Sequence, residues 1–224
     1  MEADFETYLV TQSDLSAGRT TAEIVAGALA GGVDAVQVRE KDRTAAEQLR
    51  IARELREPTA EAGAALIVND RVDIAAAADA DGVHLGDDDV PVAVAREQLG
   101  PDAIVGRSVS TPEAAQEAEA AGADYLGVGA VYTTGSKDVD EENQAIGLDA
   151  VEAIADSVSI PFVGIGGVTP ERAPEVVAVG ADGVAVITAI TRADEPERAT
   201  EELAAAVAEG KRRREEPASA GGNA

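Results

Sequence analysis

The sequence predicts a single (β/α)8 TIM barrel, eight parallel strands each followed by a helix, and three observations carry that expectation. Eight short β-branched runs recur at a spacing of about 20 to 30 residues along the 224-residue chain. Each is followed by a polar or glycine turn and then by an Ala-, Glu- and Arg-rich stretch, which is the alternation of βα units. The apolar share is 45%, yet the aromatic residues are only two Phe and three Tyr, with no Trp. The core must therefore be built from Val, Ile, Leu and Ala, which suit parallel strands buried on both faces. Eight units close a barrel more naturally than an open doubly wound sheet. A chain of this length suits one domain that buries roughly 70% of its unfolded surface.

In order, the predicted strands are Thr7–Thr11, Ala35–Arg39, Ala65–Asn69, Gly82–Leu85, Ala103–Ser108, Tyr125–Val131, Pro161–Ile165 and Gly183–Thr188. Thr20 and Thr44 precede the helical stretches 21–30 and 45–62 as N-cap hydroxyls. Thr111-Pro112-Glu113 and Thr169-Pro170-Glu171 combine a cap with Pro at the first helical position of the stretches 114–121 and 172–179. Gly63, Gly122 and Gly180 each follow a helix and can adopt the left-handed conformation that starts the turn into the next strand. The barrel is assigned to residues 1–210. Residues 211–224, basic and then acidic with no apolar period, are expected to be a disordered tail.

Composition narrows the function. The chain has no cysteine, so neither disulfides nor thiolate metal sites are available, and an intracellular protein is expected. No apolar run is long enough for a signal peptide or a membrane span, and the expected location is the cytoplasm. Forty-three acidic against eighteen basic residues give a net charge of -25, which repels nucleic acid. Self-repulsion of that size implies a halophilic setting, in which ~1 M salt cuts the Debye length to a few Å. Homo-oligomerisation is compatible with the sequence but is not specified by it.

In this fold the site lies at the carboxyl ends of the strands. Strand two ends in Gln37-Val38-Arg39-Glu40-Lys41, where alternation points Gln37, Arg39 and Lys41 to one side. Such an Arg/Lys pair ordinarily serves local acids such as Glu40 or Asp42. However, the chain has only three lysines, and two of them, Lys41 and Lys137, fall at strand ends, which points to a bound polyanion. Asp70 after strand three and Asp89 after strand four could share a Mg2+ with substrate phosphates, with Asn69 alongside. The lone histidine, His84, can point into the barrel but cannot by itself form a His-based metal site. The loop Thr133-Thr134-Gly135-Ser136-Lys137 can wrap a phosphate. The turn Gly166-Gly167 and strand eight's Ile187-Thr188 lie where barrels of this kind bind phosphate.

The ordered set Gln37-x-Arg39-x-Lys41, Asn69-Asp70, His84-Leu85-Gly86-x-x-Asp89, Ser108, Thr134-x-Ser136-Lys137, Ile165-Gly166-Gly167 and Ile187-Thr188 resembles the motif series of the thiamine phosphate synthase family, from about Thr7 to Ile190. The resemblance implies a transferase that joins an aminopyrimidine diphosphate to a thiazole phosphate, or its carboxylated form, with loss of pyrophosphate. It implies that Gln37, Val38, Arg39, Glu40, Lys41, Asn69, Ser108 and Lys137 hold the pyrimidine diphosphate. Arg39, Lys41 and Lys137 would act on the leaving group, and Asp70 and Asp89 would ligate Mg2+. Thr134, Gly135, Ser136, Gly166, Gly167, Ile187 and Thr188 would receive the thiazole phosphate. The chain departs from the family at Asp87, where Gln is common, at Thr133, where Pro is common, and in the hydroxyl types at Ser136 and Thr188. An acid at Asp87 is expected to weaken pyrophosphate affinity unless it is screened. The related thiazole tautomerase shares the barrel but binds no pyrophosphate, and retention of Asp70, Asp89, Arg39 and Lys137 argues against it. The same residues disfavour a non-catalytic phosphate sensor or scaffold on this fold.

Overall fold

The computed structural model describes residue 3, residues 5–134 and residues 145–216. Strands β1 (Thr7–Val10), β2 (Ala35–Val38), β3 (Ala65–Asn69), β4 (Gly82–Leu85), β5 (Ile104–Val109), β6 (Tyr125–Gly129), β7 (Phe162–Ile165) and β8 (Gly183–Val186) close into a parallel barrel in chain order, with β8 pairing back onto β1. Around them run α1 (Thr21–Ala30), α2 (Ala45–Ala62), α3 (Val72–Ala78), α4 (Val92–Leu99), α5 (Pro112–Ala120), α6 (Gly147–Ala155), α7 (Ala173–Ala178), the short α8 (Thr188–Thr191) and α9 (Pro196–Glu215).

Strand alternation sorts the side chains into two cores. Leu9, Val36, Leu66, Val68, Val83, Leu126 and Val184 pack outward with helical residues such as Ile24, Val25, Leu55, Val176 and Leu203. Each such burial is worth roughly 1.5–3 kcal/mol. Tyr8, Val10, Ala35, Ala65, Ile67, Ile104, Tyr125, Val163 and Ala185 fill the barrel itself, together with Phe5 from the bottom. Glycines make room for the rings there. A Cβ on Gly106 would run into the Tyr125 ring, and one on Gly127 would lie 2.9 Å from His84 Cε1.

The bottom of the barrel repeats one device. The aspartate just before β2, β4, β6 and β8 accepts an N–H from the first or second residue of the preceding strand. Thr7 donates to Asp34 (2.8 Å), Leu66 to Asp81 (2.7 Å), Val105 to Asp124 (2.6 Å) and Phe162 to Asp182 (2.9 Å). These charge-assisted bonds tie neighbouring strands away from the mouth.

Thr20 and Thr44 cap α1 and α2, each in a capping box with Glu23 or Glu47. Thr111 caps α5, with Pro112 at its start. Gly63, Gly122 and Gly180 all have positive φ. Six strands differ from expectation in their bounds, with β5 shifted one residue along and β7 starting one residue late. β1, β2, β6 and β8 stop one or two residues early, although amides just past β1 and β6 still reach carbonyls of the neighbouring strands. Thr11 donates to Gln37 (2.9 Å), and Val131 donates to the carbonyl of Ile165 (2.8 Å). Thr188 opens α8 instead of ending a strand. Thr169-Pro170-Glu171 forms a turn, not a helix start. The amides of Arg172 and Ala173 both bond back to Thr169, and Pro174 occupies the first turn of α7. Helix α9 continues through Lys211–Arg214, a stretch expected to be tail. Its basic residues suit a helix C-terminus and meet Glu209, while Lys211 reaches Glu6 at 2.8 Å. Among the described residues, no helix is long and apolar enough to cross a membrane.

Candidate active site

At the mouth, β2 to β5 present one chemistry. Gln37, Arg39, Asn69, His84 and Ser108 surround a cavity of about 40 Å3 inside the barrel top. Gln37 and Arg39 point inward, as alternation requires, and both are buried. Arg39 is braced by loop one, its backbone N–H donating to Thr11 Oγ1 (3.1 Å) and its guanidinium to Gln12 Oε1 (2.9 Å). It does not pair with Glu40 or Asp42. Lys41 leaves the barrel wall, half-exposed, with Nζ 3.9 Å from Asp70 Oδ2.

Val38 and Glu40 alternate the other way. Val38 packs in the outer core. Glu40 is buried and accepts from Thr11 Oγ1 (2.9 Å), the Ser13 amide (3.0 Å) and Thr21 Oγ1 (3.0 Å), tying loop one to the start of α1. The side chains of these two residues therefore hold the scaffold, and only their backbone can meet a ligand in the cavity.

Asp70 sits in the left-handed region (φ 61°), which for a non-glycine residue marks a locally constrained turn. Burial pushes its carboxyl up to about 6, and the adjacent Asp89 carboxyl adds to the shift, while Lys41 and Arg39 oppose it more weakly. Asp89 is held by the Gly86 amide at 2.6 Å. Two carboxyls facing each other at such a cost fit a divalent cation, which would displace the proton and relieve the repulsion. Among the described residues no cluster of three or more His, Asp or Glu gathers. The donor set is therefore too small for an all-protein cage and suits Mg2+ completed by water and substrate phosphate oxygens. Asp87 lies outside this pair, almost fully exposed, and is neutralised by Arg107 at 2.7 Å.

Beneath the cavity a hydrogen-bonded chain crosses the barrel. Gln37 Nε2 donates to Tyr8 Oη (2.9 Å), Tyr8 Oη meets Tyr125 Oη (2.8 Å), Tyr125 Oη meets His84 Nδ1 (2.9 Å), and His84 Nε2 meets Ser108 Oγ (2.9 Å). Burial holds both phenols well above their usual range, so both stay neutral.

Loops six to eight form the opposite edge with a different chemistry. A depression of about 80 Å3 is lined by Ala130, Thr134, the turn from Ile165 to Thr169, and Ala185 to Thr188. Gly166 (φ 100°) and Gly167 (φ 62°) are required here. A Cβ on Gly166 would sit 2.5 Å from that of Ala130, and one on Gly167 would sit 2.9 Å from the Thr133 carbonyl oxygen. Arg172 clamps the turn, donating to the Gly167 carbonyl (2.9 Å) and stacking 4.6 Å above the Tyr132 ring. Ile187 precedes α8, so Thr188 brings a helix start to the rim. Gly135, Ser136 and Lys137 lie outside the described residues. The two depressions share Ile165, Ala185 and Ile187 as a common wall.

A larger groove of about 400 Å3 lies outside the barrel between α1 and α2. Its arginines are engaged already, Arg19 with the carbonyls of Thr191 and Ala193, Arg43 with Glu47 and Arg50 with Glu54, so it is not the reaction centre.

Sequence reasoning missed Gln12, Tyr8, Tyr125, Arg107 and Arg172. One signal was available for the tyrosines. In a chain with three Tyr, two stand at inward positions of strands.

A closed parallel barrel with a carboxylate pair and buried cation on one side of its mouth, and a glycine-amide cradle on the other, defines an enzyme of the phosphate-handling (β/α)8 class. The sequence model of the family described as thiamine monophosphate synthase matches residues 7–190. The thiamine-phosphate synthase of Natronomonas pharaonis is 65% identical over 207 residues, covering 92% of this chain and 97% of that one. That of Haloarcula marismortui is 62% identical over 209 residues, covering 93% and 99%. A solved thiamine phosphate pyrophosphorylase from Pyrococcus furiosus is 42% identical, with a TM-score of 0.84 over 92% of this chain and 97% of that one. The chain belongs to the thiamine monophosphate synthase family.

Proposed function

We propose that the barrel mouth couples an aminopyrimidine diphosphate to a thiazole phosphate, or its carboxylated form, giving thiamine phosphate and pyrophosphate. The observation that carries this reading is the shared wall of Ile165, Ala185 and Ile187, which sets a pocket lined by Gln37, Arg39, Asn69, His84 and Ser108 directly beside one lined by the Gly166-Gly167 turn. Two anionic ligands held there bring their reacting ends together over one partition.

Asp70 and Asp89 would hold Mg2+, which supplies charge neutralisation on the pyrophosphate. Arg39, buried and braced by Gln12 and Thr11, binds the same leaving group at fixed geometry. Lys41 adds charge from the rim, and Lys137 adds charge in the role that the family resemblance implies. The bond between the pyrimidine methylene carbon and the pyrophosphate oxygen breaks, the oxygen keeps the electron pair, and the thiazole nitrogen captures the carbon. Gln37, Asn69 and Ser108 orient the pyrimidine, while Gly166, Gly167, Thr134, Ser136 and Thr188 orient the thiazole phosphate. No protein nucleophile takes part.

Mixing both substrates with and without Mg2+, and following pyrophosphate release together with the coupled product, tests the reading. The expected result is equimolar release and coupling that require Mg2+. Release without coupling would reduce the activity to hydrolysis and overturn the proposal.

The same reading includes a cytoplasmic enzyme adapted to high salt. Supporting it are the net charge of -25 and the halophilic archaeal source of two relatives. The melting temperature should rise with KCl, and a melting temperature unchanged in dilute buffer would contradict it.

A further inference from the structure

We infer that Glu40 is a positioning residue for the reaction: it clamps loop one on both sides of Gln12, and Gln12 fixes the Arg39 guanidinium for the pyrophosphate. The inference rests on the proposed role of Arg39. Glu40 and Gln12 act through that residue without touching the ligand.

A guanidinium serves an oxyanion best when its planar fork is already aimed, since nothing then has to reorganise as charge develops. Arg39 is 7% exposed, and the next residue is a buried acid, Glu40, at 4%. Pairing between the two would cancel the charge that the ligand needs. The structure keeps them apart. Alternation sends Arg39 into the barrel and Glu40 outward, and three donors occupy the Glu40 carboxylate. The Thr11 and Thr21 hydroxyls share Oε1 at 2.9 and 3.0 Å, and the Ser13 amide meets Oε2 at 3.0 Å. Arg39 instead donates to a neutral acceptor, Gln12 Oε1 at 2.9 Å, which aims the guanidinium without cancelling its charge.

Gln12 is placed by its neighbours. Its backbone is extended (φ -160°, ψ 101°), so its side chain leaves on the face opposite those of Thr11 and Ser13. These are the two loop residues that Glu40 holds. Thr11 Oγ1 also accepts from the Arg39 N–H at 3.1 Å, so one hydroxyl joins the carboxylate to the Arg39 backbone. The far end of loop one is fixed separately, by Thr191 Oγ1 donating to the Leu15 carbonyl at 2.9 Å. Glu40 therefore governs the near end, where Arg39 is braced.

Titration of inorganic pyrophosphate, with Mg2+, into single and double variants tests the inference. Arg39→Met should weaken binding by at least ~30-fold, as expected for loss of a buried charge contact. Gln12→Met removes the acceptor and keeps the length, and should weaken binding by about 10-fold while thiazole phosphate affinity stays within about 2-fold. Glu40→Met should resemble Gln12→Met. Glu40→Gln should stay within about 3-fold of wild type, because its amide oxygen can accept from the Ser13 N–H while its NH2 donates to the two threonine hydroxyls. In an Arg39→Met background, Gln12→Met should add less than about 2-fold. Wild-type pyrophosphate affinity in folded Gln12→Met would make the brace mere scaffold and overturn the inference. A Gln12→Met loss that persists without Arg39, or a Glu40→Gln as weak as Glu40→Met, would overturn it too. The Gln12 variants decide the matter even if Glu40→Met fails to fold. A wild type that does not bind pyrophosphate with Mg2+, or an Arg39→Met that binds it undiminished, would instead refute the underlying reading of the site.

Discussion

Under the proposed function, the two edges of the barrel mouth would bind anions by opposite means. The edge from β2 to β4 uses side-chain charge: a buried Arg39, a Lys41 at the rim, and two carboxyls, of which Asp70 is pushed up to about 6. The edge from loop six to α8 uses backbone, namely two positive-φ glycines, a short helix start and hydroxyls. A pyrophosphate leaving group gains charge as it departs, and in the proposed reading fixed cations and a metal would stabilise it. A monophosphate that only anchors its substrate keeps its charge throughout, and amides at close range suffice. The difference teaches where each edge is fragile. The first breaks on loss of a charge, the second on gain of a methyl group.

The largest effect is therefore expected from Asp70→Asn. It should lower the coupling rate by at least ~100-fold through loss of preorganised charge stabilisation, with thiazole phosphate affinity unchanged. Steady-state kinetics and direct titration of each ligand check the two halves. Gly166→Ala should do the converse, raising KM for the thiazole phosphate by about 10-fold, or about 1.4 kcal/mol, with pyrophosphate affinity retained. The new Cβ would meet Ala130 in a backbone conformation alanine resists. If Gly166→Ala weakened both ligands equally, the division between the edges would be lost.

Two smaller effects sharpen the first edge. The Asp70 carboxyl lies above its usual 3.8, so the folded chain holds the extra proton between about pH 4 and 6, and this residue's contribution to stability falls as pH rises through that window. Asp70→Asn should then stabilise the metal-free protein at pH 7.5 by on the order of 1 kcal/mol after allowance for solvent screening, or roughly 2–4 °C in Tm. Mg2+ affinity of the wild type should weaken below pH about 6 as the proton competes. Calorimetry across pH measures both. The smallest effect is expected from Asp87→Gln, within about 2-fold in rate, because its exposed pairing with Arg107 already cancels its charge.

The barrel was legible because its signals are local and periodic. The N-cap hydroxyls at Thr20 and Thr44 and the left-handed glycines at 63, 122 and 180 stand where the sequence places them. Boundaries were less so. β-Branched residues such as Val131 and Ile187 continue past the last rung of the barrel, and sequence does not say where a neighbouring strand stops offering partners. Thr169-Pro170 looks like a helix start but serves a turn, since Pro174 lies four residues further on and is equally suitable. Charged site residues could be found by their scarcity or their place after a strand. Glu40 shows the limit, because its neighbours Arg39 and Lys41 turn to the cavity and to Asp70 while it faces Thr11 and Thr21. The Tyr8–Tyr125 contact spans 117 residues and depends on the barrel closing, so no local pattern announces it.

Separate calorimetric titrations of inorganic pyrophosphate and of thiazole phosphate into the same protein, each with and without Mg2+, test the two-edge account most directly. The account predicts that Mg2+ tightens pyrophosphate binding by at least ~10-fold and leaves thiazole phosphate within about 2-fold. An equal response of both ligands, or a Mg2+ requirement on the thiazole phosphate alone, would contradict it.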